Sequence, residues 1–150
     1  MGYAELCAIS NYTFLRGASF PEELVIRADE LGYAAIAITD ECSLSGVVRA
    51  HMAARERNIQ LLVGSEIRLV DGPRLVLLAT DRRSYGGLCR LLSKGRRRGE
   101  KGSYCLEESD LEDCFPRGCA AIWIPLLVSA DSADTVRHGR WLKQIGRAHV

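Results

Sequence analysis

The sequence has 150 residues and a formal net charge of +1. Hydrophobic residues make up 47% of it and charged residues 26%, which predicts a globular domain with a core. The near-neutral charge excludes nucleic-acid binding by the whole surface, so any such role must rest on a local patch or on other parts of a longer protein. The longest apolar run, residues 122–128, is interrupted by Pro125 and is too short to span a membrane.

The six cysteines predict reduced thiols in the cytoplasm. No CxxC pair is present, no histidine lies at zinc-finger spacing from a cysteine, and no secretory signal precedes the first one. The cysteines are Cys7, Cys42, Cys89, Cys105, Cys114 and Cys119.

Local signals along the chain predict alternating strands and helices. Ser19-Phe20-Pro21-Glu22 predicts a capping box that begins the first helix. Asn58 predicts the C-cap of the second helix, and Asp71-Gly72 predicts a hairpin turn. Asp81 or Ser84 predicts the N-cap of the third helix. The predicted strands are residues 3–10, 34–39, 59–63 continuing into 66–70, 74–80 and 118–124. The predicted helices are residues 22–31 and 44–57, a third that follows its N-cap and ends at residue 92, and 133–144, with a loop over residues 94–101.

This alternation predicts an α/β fold with a mostly parallel sheet or barrel. About five strands are too few for a closed eight-stranded barrel, so the barrel is expected to be partial. Residues 145–150 resemble a translated sequencing-adapter read-through and are expected to be a non-native tail. The predicted domain therefore covers residues 1–144.

Acidic residues follow two of the predicted strands. Asp40 and Glu41 come directly after a buried strand, and Glu66 lies near the end of the next one. Because function collects at the carboxyl ends of strands in α/β sheets, these carboxylates are expected to converge on one rim. Clustered carboxylates suit divalent metals and phosphate-ester chemistry. The alternative is that Asp40 caps the following helix and that Glu66 is a solvated loop residue.

Four blocks of the sequence resemble the PHP domain of bacterial error-prone C-family DNA polymerases. They are residues 3–23 (YAELCAISNYTFLRGASFPEE), 37–51 (AITDECSLSGVVRAH), 62–66 (LVGSE) and 75–104 (LVLLATDRRSYGGLCRLLSKGRRRGEKGSY). The blocks are long, ungapped and in the right order. The resemblance implies an N-terminal fragment with a partial PHP-type (β/α) barrel.

The resemblance also implies a degraded metal site. Metal-binding PHP domains open with a His-x-His pair, where this sequence has Cys7 and Ile9. Asp40-Glu41 stands where Asp-His is usual, and Glu66 keeps the acidic residue of the third motif. We therefore expect Asp40, Glu41, Glu66 and Cys7 to form a vestigial site that binds a divalent metal weakly or not at all, and the domain to be structural.

A dense basic run lies within the fourth block: Lys94, Arg96, Arg97, Arg98 and Lys101. Arg96, Arg97 and Arg98 could contact phosphates of a template or primer. The alternatives are a solvated loop or a basic surface that docks on the polymerase palm.

For the intact protein the resemblance implies DNA-directed DNA polymerase activity in translesion synthesis and DNA repair. The chemistry would use Mg²⁺ in a palm domain outside these residues, so none of them is expected to be catalytic. The implied partners are DNA, deoxynucleoside triphosphates, the sliding clamp and mutagenesis accessory proteins, with no membrane. Two alternatives remain: a free-standing PHP-type metal-dependent phosphoesterase, and an interaction module without an attached enzyme.

Overall fold

The structure is a computed structural model that describes residues 2–125 and 133–148. The strands are β1 (Ala4–Ala8), β2 (Ala35–Ile38), β3 (Gln60–Arg68), β4 (Arg74–Ala79) and β5 (Cys119–Ile124). The helices are α1 (Pro21–Glu30), α2 (Val47–Arg57), α3 (Arg82–Arg98), α4 (Glu108–Cys114) and α5 (Ala133–Ala148). In the described ranges, none of the helices is long and apolar enough to cross a lipid bilayer.

The strands form one sheet in the order β1-β2-β3-β4-β5, which confirms the α/β partial barrel. The β1–β2 and β2–β3 pairs are parallel, whereas β3–β4 and β4–β5 are antiparallel. The sheet is thus half parallel instead of mostly parallel. The reversal begins at the predicted hairpin, where Asp71 takes a left-handed φ of 51° and the chain turns back into β4.

The described helices pack against one face of this sheet. Ile36 and Ile38 of β2 pack with α1 and α2, while Leu75 and Leu77 of β4 pack with α3 and α4. The pairing registers through β3 place these side chains on the same side, because alternate residues of a strand share a face. Ile145 of α5, within the segment predicted to be a non-native tail, is 5% exposed in the cluster of α3 and α4. The domain limits stay a prediction.

The opposite face carries a smaller apolar cluster: Leu6, Ala37, Leu62, Val76, Leu78, Ile122 and Ile124. In a closed barrel this face would be the interior. Its flanking members are only partly buried, so the sheet has the layout of an opened barrel with helices outside. Stability is therefore best measured in the full-length protein.

The first helix begins at Pro21, one residue before the predicted start, although its N-cap lies one residue after the predicted Ser19. Its N-cap is Phe20, whose backbone N–H donates to Glu23 Oε2 at 2.8 Å. Ser19 does not cap it; its carbonyl accepts the N–H of Asn11 at 2.8 Å and holds the preceding loop. Asn58 ends α2 with a left-handed φ of 56°, as predicted.

The third helix runs to Arg98, so the prediction of a loop over residues 94–101 is wrong up to that point. Asp81 caps it as predicted, with Oδ1 accepting the N–H of Ser84 at 2.7 Å. The helix continues through Gly95 because Leu106 packs directly on that position. The cations of the last turn also lie at the carbonyl end of the helix dipole, which favours positive charge.

Two glycines of α3 should respond in opposite ways to alanine. A Cβ on Gly86 meets no atom within 4 Å, so Gly86→Ala should stabilise the helix by about 0.5–1 kcal/mol through lost chain entropy in the unfolded state. A Cβ on Gly95 would lie 2.7 Å from Cγ of the fully buried Leu106, so Gly95→Ala should destabilise by about 1–3 kcal/mol. Hydrogen exchange of the α3 amides measures both, and equal effects would contradict this packing.

Candidate functional site: a rim of carboxylates paired with arginines

The acidic residues lie where β2 ends beside β3. Asp40 and Glu41 follow β2, as predicted, but Glu66 lies inside β3. An isolated bridge joins Glu41 to Glu66, and the N–H of Cys42 donates to the Glu66 carbonyl at 2.7 Å. The Glu66 side chain is 3% exposed. This excludes the alternative of a solvated loop residue.

Asp40 ties the loop after β1 to the end of β2. It is 1% exposed. Its Oδ1 accepts the N–H of Ser10 and the hydroxyl of Thr13, both at 2.8 Å, and its Oδ2 accepts the Ser10 hydroxyl at 2.7 Å. Thr13 Oγ1 in turn accepts the N–H of Glu41 at 2.9 Å. Asp40 does not cap the following helix, whose N-cap is Gly46.

Glu41 and Glu66 share one guanidinium. Arg16 Nη1 lies 2.5 Å from Glu41 Oε2 and 2.7 Å from Glu66 Oε1. The second oxygen of Glu66 accepts from Arg74 Nη2 at 2.7 Å, and the second oxygen of Glu41 accepts from the Tyr104 hydroxyl at 2.8 Å. The two carboxylates are therefore saturated by cations and by a phenol of the same chain.

The charges of this network reinforce one another. The hydrogen bond to Glu66 raises the pKa of Arg16, against the opposing effect of burial, and the bond to Glu41 raises it further. Burial disfavours the ionised form of Glu41, yet the hydrogen bonds from Tyr104 and Arg16 outweigh it and lower the pKa of Glu41. Burial and the bond to Glu41 raise the pKa of Tyr104. Glu41 is thus held ionised and Tyr104 protonated.

Cys7 is exposed, and its thiol lies within the electrostatic reach of Glu66 and Arg74. Burial, followed by Glu5 and Glu66, raises the pKa of the Cys7 thiol against the opposing charge of Arg74. A protonated thiol is a poor metal ligand. Ile9 is half-buried and has no ligating atom.

The residues present do not fit a PHP-type metal cluster. Among the residues that the structure describes, no three His, Cys, Asp or Glu side chains are placed to hold a metal ion together. The carboxylates that match the ligand positions already accept hydrogen bonds from Arg16, Arg74, Ser10 and Thr13. A divalent ion would have to displace these partners.

Sequence reasoning missed the basic and phenolic partners of the rim. Arg16 stands inside the first resembling block, but its partner Glu66 is 50 residues away. Arg96, proposed as a phosphate contact, instead donates to the carbonyls of Cys42 and Glu41 at 3.1 and 3.2 Å, and lies over the Tyr104 ring at 5.5 Å. No local sequence signal marks such long-range pairs.

Arg98, the second proposed phosphate contact, is also engaged within the chain. It pairs with both oxygens of the buried Asp110, at 2.7 and 3.0 Å. Lys94 reaches the same carboxylate at 2.7 Å. Arg97, the third member, is exposed. In this basic run, Lys94 and Arg98 hold α3 to α4, and Arg96 holds α3 to the loop after β2. Lys101, like Arg97, is exposed.

Acid should weaken the rim. Because the pKa of Glu41 is lowered from its ordinary value of 4.5, the folded state binds fewer protons than the unfolded state below that value. The stabilisation by Glu41 is complete above about pH 4.5 and is lost as the pH falls through the lowered pKa. The difference in the opening free energy of the β2 and β3 amides between the wild type and Glu41→Gln, measured by hydrogen exchange, should stay constant from pH 7 to about pH 5 and shrink below it. A difference that grows in acid would contradict the pairing.

The sheet with helices on one face and an acidic rim at its strand ends defines an α/β domain with the layout of an opened barrel. The model of the family described as "PHP domain" matches residues 6–132. The chain belongs to the PHP domain family.

Curated relatives of high identity are named error-prone DNA polymerase. The chain is 52% identical over 143 residues to that of Methylococcus capsulatus, a match covering 95% of this chain. It is 55% identical over 146 residues to that of Aromatoleum aromaticum and 58% identical over 123 residues to that of Pseudomonas aeruginosa, covering 93% and 82% of this chain. The chain spans 12–13% of the length of these relatives.

Solved structures with the same fold include proteins described as hydrolases. One is a metal-dependent phosphoesterase from Bifidobacterium adolescentis, with a TM-score of 0.54 and 23% identity, covering 64% of this chain and 34% of that one. Another is an amidohydrolase from Chromobacterium violaceum, solved with bound sulfate and no metal, with a TM-score of 0.53 and 29% identity over 63% of this chain and 33% of that one. At 23% identity, the similarity to the protein from Bifidobacterium adolescentis shows a shared fold and nothing more.

Proposed function

We propose that the chain is the N-terminal region of an error-prone DNA-directed DNA polymerase that acts in translesion synthesis and DNA repair. The observation that carries this proposal is the identity of 52% over 95% of the chain to a relative of that name. The intact protein would use DNA and deoxynucleoside triphosphates, with Mg²⁺ bound in a palm domain outside these residues. It would work in the cytoplasm with the sliding clamp and mutagenesis accessory proteins.

Within that polymerase we assign the PHP region a structural role. What supports this assignment is the saturation of its rim: Glu66 accepts from Arg16 and Arg74, while Asp40 accepts from Ser10 and Thr13. The guanidinium groups of Arg16 and Arg74 already neutralise the carboxylate of Glu66. Asp40, Glu41, Glu66 and Cys7 then represent a vestigial ligand set that fastens the loops instead of activating water.

The alternative is a free-standing PHP-type metal-dependent phosphoesterase. It is favoured by the fold shared with the protein from Bifidobacterium adolescentis described by that activity. The donor set argues against it, since Ile9 and the protonated Cys7 cannot supply what two imidazoles would.

Primer extension tests the polymerase assignment. The full-length protein, given primed template, triphosphates and Mg²⁺, should extend the primer and continue past a template lesion. The 150-residue chain alone should give no extension, because the palm lies outside it. Elongation by the short chain would overturn the domain assignment. Metal-dependent hydrolysis of a phosphate monoester, lost in Asp40→Ala, would support the phosphoesterase instead.

A further inference from the structure

Positive charge is concentrated on one helix of a chain whose total charge is close to zero. The whole sequence has a net charge of +1, yet α3 carries seven Lys or Arg residues and no Asp or Glu. The cations of its last turn interact favourably with the helix dipole. Arg83 lies in the first turn, where the dipole disfavours a cation, and Arg90 lies in the middle. Helix stability therefore does not account for these two charges.

Four of these cations form a stripe. Arg83, Arg90, Lys94 and Arg97 are spaced by seven, four and three residues, which places them on one side of a helix with 3.6 residues per turn. The stripe extends over about 21 Å, the rise of four turns. Lys94 is tied to Asp110, but the three arginines are exposed.

The stripe borders a cavity of about 1130 Å³ between α3 and the segment that joins α4 to β5. Arg117 adds a cation from that segment, and Asp113 adds an acidic group. Among the residues whose side chains the structure describes, no carboxylate lies within ion-pair distance of Arg90, Arg97 or Arg117. Cations left without anions along one groove are the electrostatic footprint of a polyanion.

The floor of the groove is apolar. Leu91 and Pro116 are buried beneath it, and the ring of Phe115 is half-buried. The helix and this wall are in close contact, since a Cβ on Gly87 would lie 3.0 Å from the Cβ of Pro116. Double-stranded DNA could place only its sugar-phosphate backbone against this apolar floor. A single strand also offers base faces, and sites for single strands combine a basic groove with apolar and aromatic surface.

We propose that the groove lined by Arg83, Arg90, Arg97 and Arg117 binds the phosphate backbone of single-stranded DNA, with bases lying on the apolar floor. The inference rests on the proposed function, because the strand would be template that a polymerase holds outside its palm. Binding would be largely independent of sequence, since the contacts are to phosphates and base faces. Of the three arginines first considered as phosphate contacts, Arg96 and Arg97 line this groove, but Arg96 donates to the carbonyls of Cys42 and Glu41, and Arg98 pairs with Asp110.

Salt dependence tests the charge contribution. With the full-length protein, anisotropy of a fluorescein-labelled oligothymidylate of about 20 nucleotides is measured across a salt series. Arg90→Gln/Arg97→Gln/Arg117→Gln should reduce the slope of log K against log salt by about 2 and weaken binding at least tenfold at about 0.1 M salt. A slope equal to that of the unaltered protein would overturn the proposal.

The matched control removes the same charge elsewhere. Arg27→Gln/Arg55→Gln/Arg57→Gln lies on α1 and α2 and should leave the slope unchanged. Asp113→Asn removes the acidic group of the groove and should tighten binding roughly threefold, a gain that misfolding cannot produce. Equal losses in both triple variants, or weaker binding by Asp113→Asn, would overturn the assignment.

Cys89 lines the groove and reports occupancy directly. Maleimide labelling, read by peptide mass spectrometry, should modify Cys89 in the free full-length protein and be suppressed several-fold by saturating oligothymidylate, while the exposed Cys7 is unaffected. A duplex of equal length should protect less. A Cys89 that is as unreactive as the buried Cys42 before DNA is added would show that another part of the polymerase covers the groove, and would overturn the proposal.

Primer extension by the same preparation keeps the two hypotheses apart. An active polymerase whose Cys89 is not protected by single-stranded DNA overturns the groove alone. An inactive protein whose Cys89 is protected supports the groove and overturns the proposed function.

Discussion

Replacing Arg16 with methionine should lower the local free energy of opening at the rim by about 2–3 kcal/mol. The change leaves Glu66, which is 3% exposed, with Arg74 as its remaining cation, and leaves Glu41 with Tyr104. A buried carboxylate that loses one of two cations retains its desolvation penalty and loses part of its compensation. Arg16 is 36% exposed, which keeps the effect below that of a fully buried pair.

Hydrogen exchange of the β2 and β3 amides in the full-length protein measures this effect locally, where a global melt would mix domains. Arg27→Met is the matched control. Arg27 pairs with Glu30 at 3.0 Å on the solvent face of α1, where both side chains are at least half exposed, and its loss should change stability by about 0.5 kcal/mol or less. Equal effects of the two substitutions would contradict a structural network.

A second substitution separates the ion pair from packing. Arg16→Met/Glu66→Gln removes both partners of the ion pair, so its loss of stability should be smaller than the sum of the two single losses, with a coupling energy of about 1 kcal/mol or more. If the two substitutions are additive, Arg16 stabilises the rim through its side-chain packing and not through Glu66.

The alternation of strands and helices was predictable because its signals are local. The cap at Asp81, the left-handed residue Asn58 and the turn at Asp71-Gly72 each involve residues a few positions apart, and the structure has all three. The N-cap of α1 was predicted at Ser19 but is Phe20, because the Ser19 carbonyl accepts a hydrogen bond from Asn11 across a loop. The direction of β5 depends on pairing with β4, which no short-range pattern encodes.

The end of α3 shows a tertiary contact overriding propensity. Glycines and basic residues predicted a loop from residue 94, but Leu106 fills the space over Gly95 and Asp110 draws Lys94 and Arg98 onto α4. Each of these partners lies more than ten residues from the residue it stabilises. Local propensity is a weak prior at such positions.

The candidate site was half predictable for the same reason. The rule that polar residues collect at strand ends located Asp40, Glu41 and Glu66. The rule carries no information about Arg16 and Arg74, which decide whether these carboxylates attract a metal. The expected cluster and the observed ion-pair network use the same acids, and only tertiary structure distinguishes them.

Zinc or manganese should bind the rim of the full-length protein weakly. Arg16 Nη1 stands between Glu41 and Glu66, so an incoming divalent ion meets a guanidinium that already holds both carboxylates. Asp40, deeper in the rim, is bound to Ser10 and Thr13. Titration calorimetry of the wild type and Asp40→Ala isolates this site from metal bound in other domains, because only rim binding responds to Asp40. The heats of metal binding measured for the wild type and for Asp40→Ala should be equal.

Restoring the imidazoles should reverse this behaviour only as a set. Cys7→His, Ile9→His or Glu41→His alone should do little, since Arg16 still neutralises Glu66 and one imidazole cannot fix the geometry of a cluster. The three together should raise affinity at least about tenfold, and adding Arg16→Met should raise it about tenfold more, because the competing cation is gone.

The opposite result is equally specific. Tight binding of two or three metal ions by the wild type, lost in Asp40→Ala, would mean that Arg16 and Arg74 release their carboxylates to metal, and the structural assignment would be wrong. The ordering of the variants discriminates further. If Arg16→Met alone raises metal affinity as much as the variant that combines it with the three histidines, the imidazoles are dispensable. The Arg16 guanidinium alone then prevents metal binding. If the triple histidine variant reaches full affinity with Arg16 in place, the ion pair with Glu66 is too weak to compete with a metal, and the loss of ligands at positions 7, 9 and 41 accounts for the degraded site.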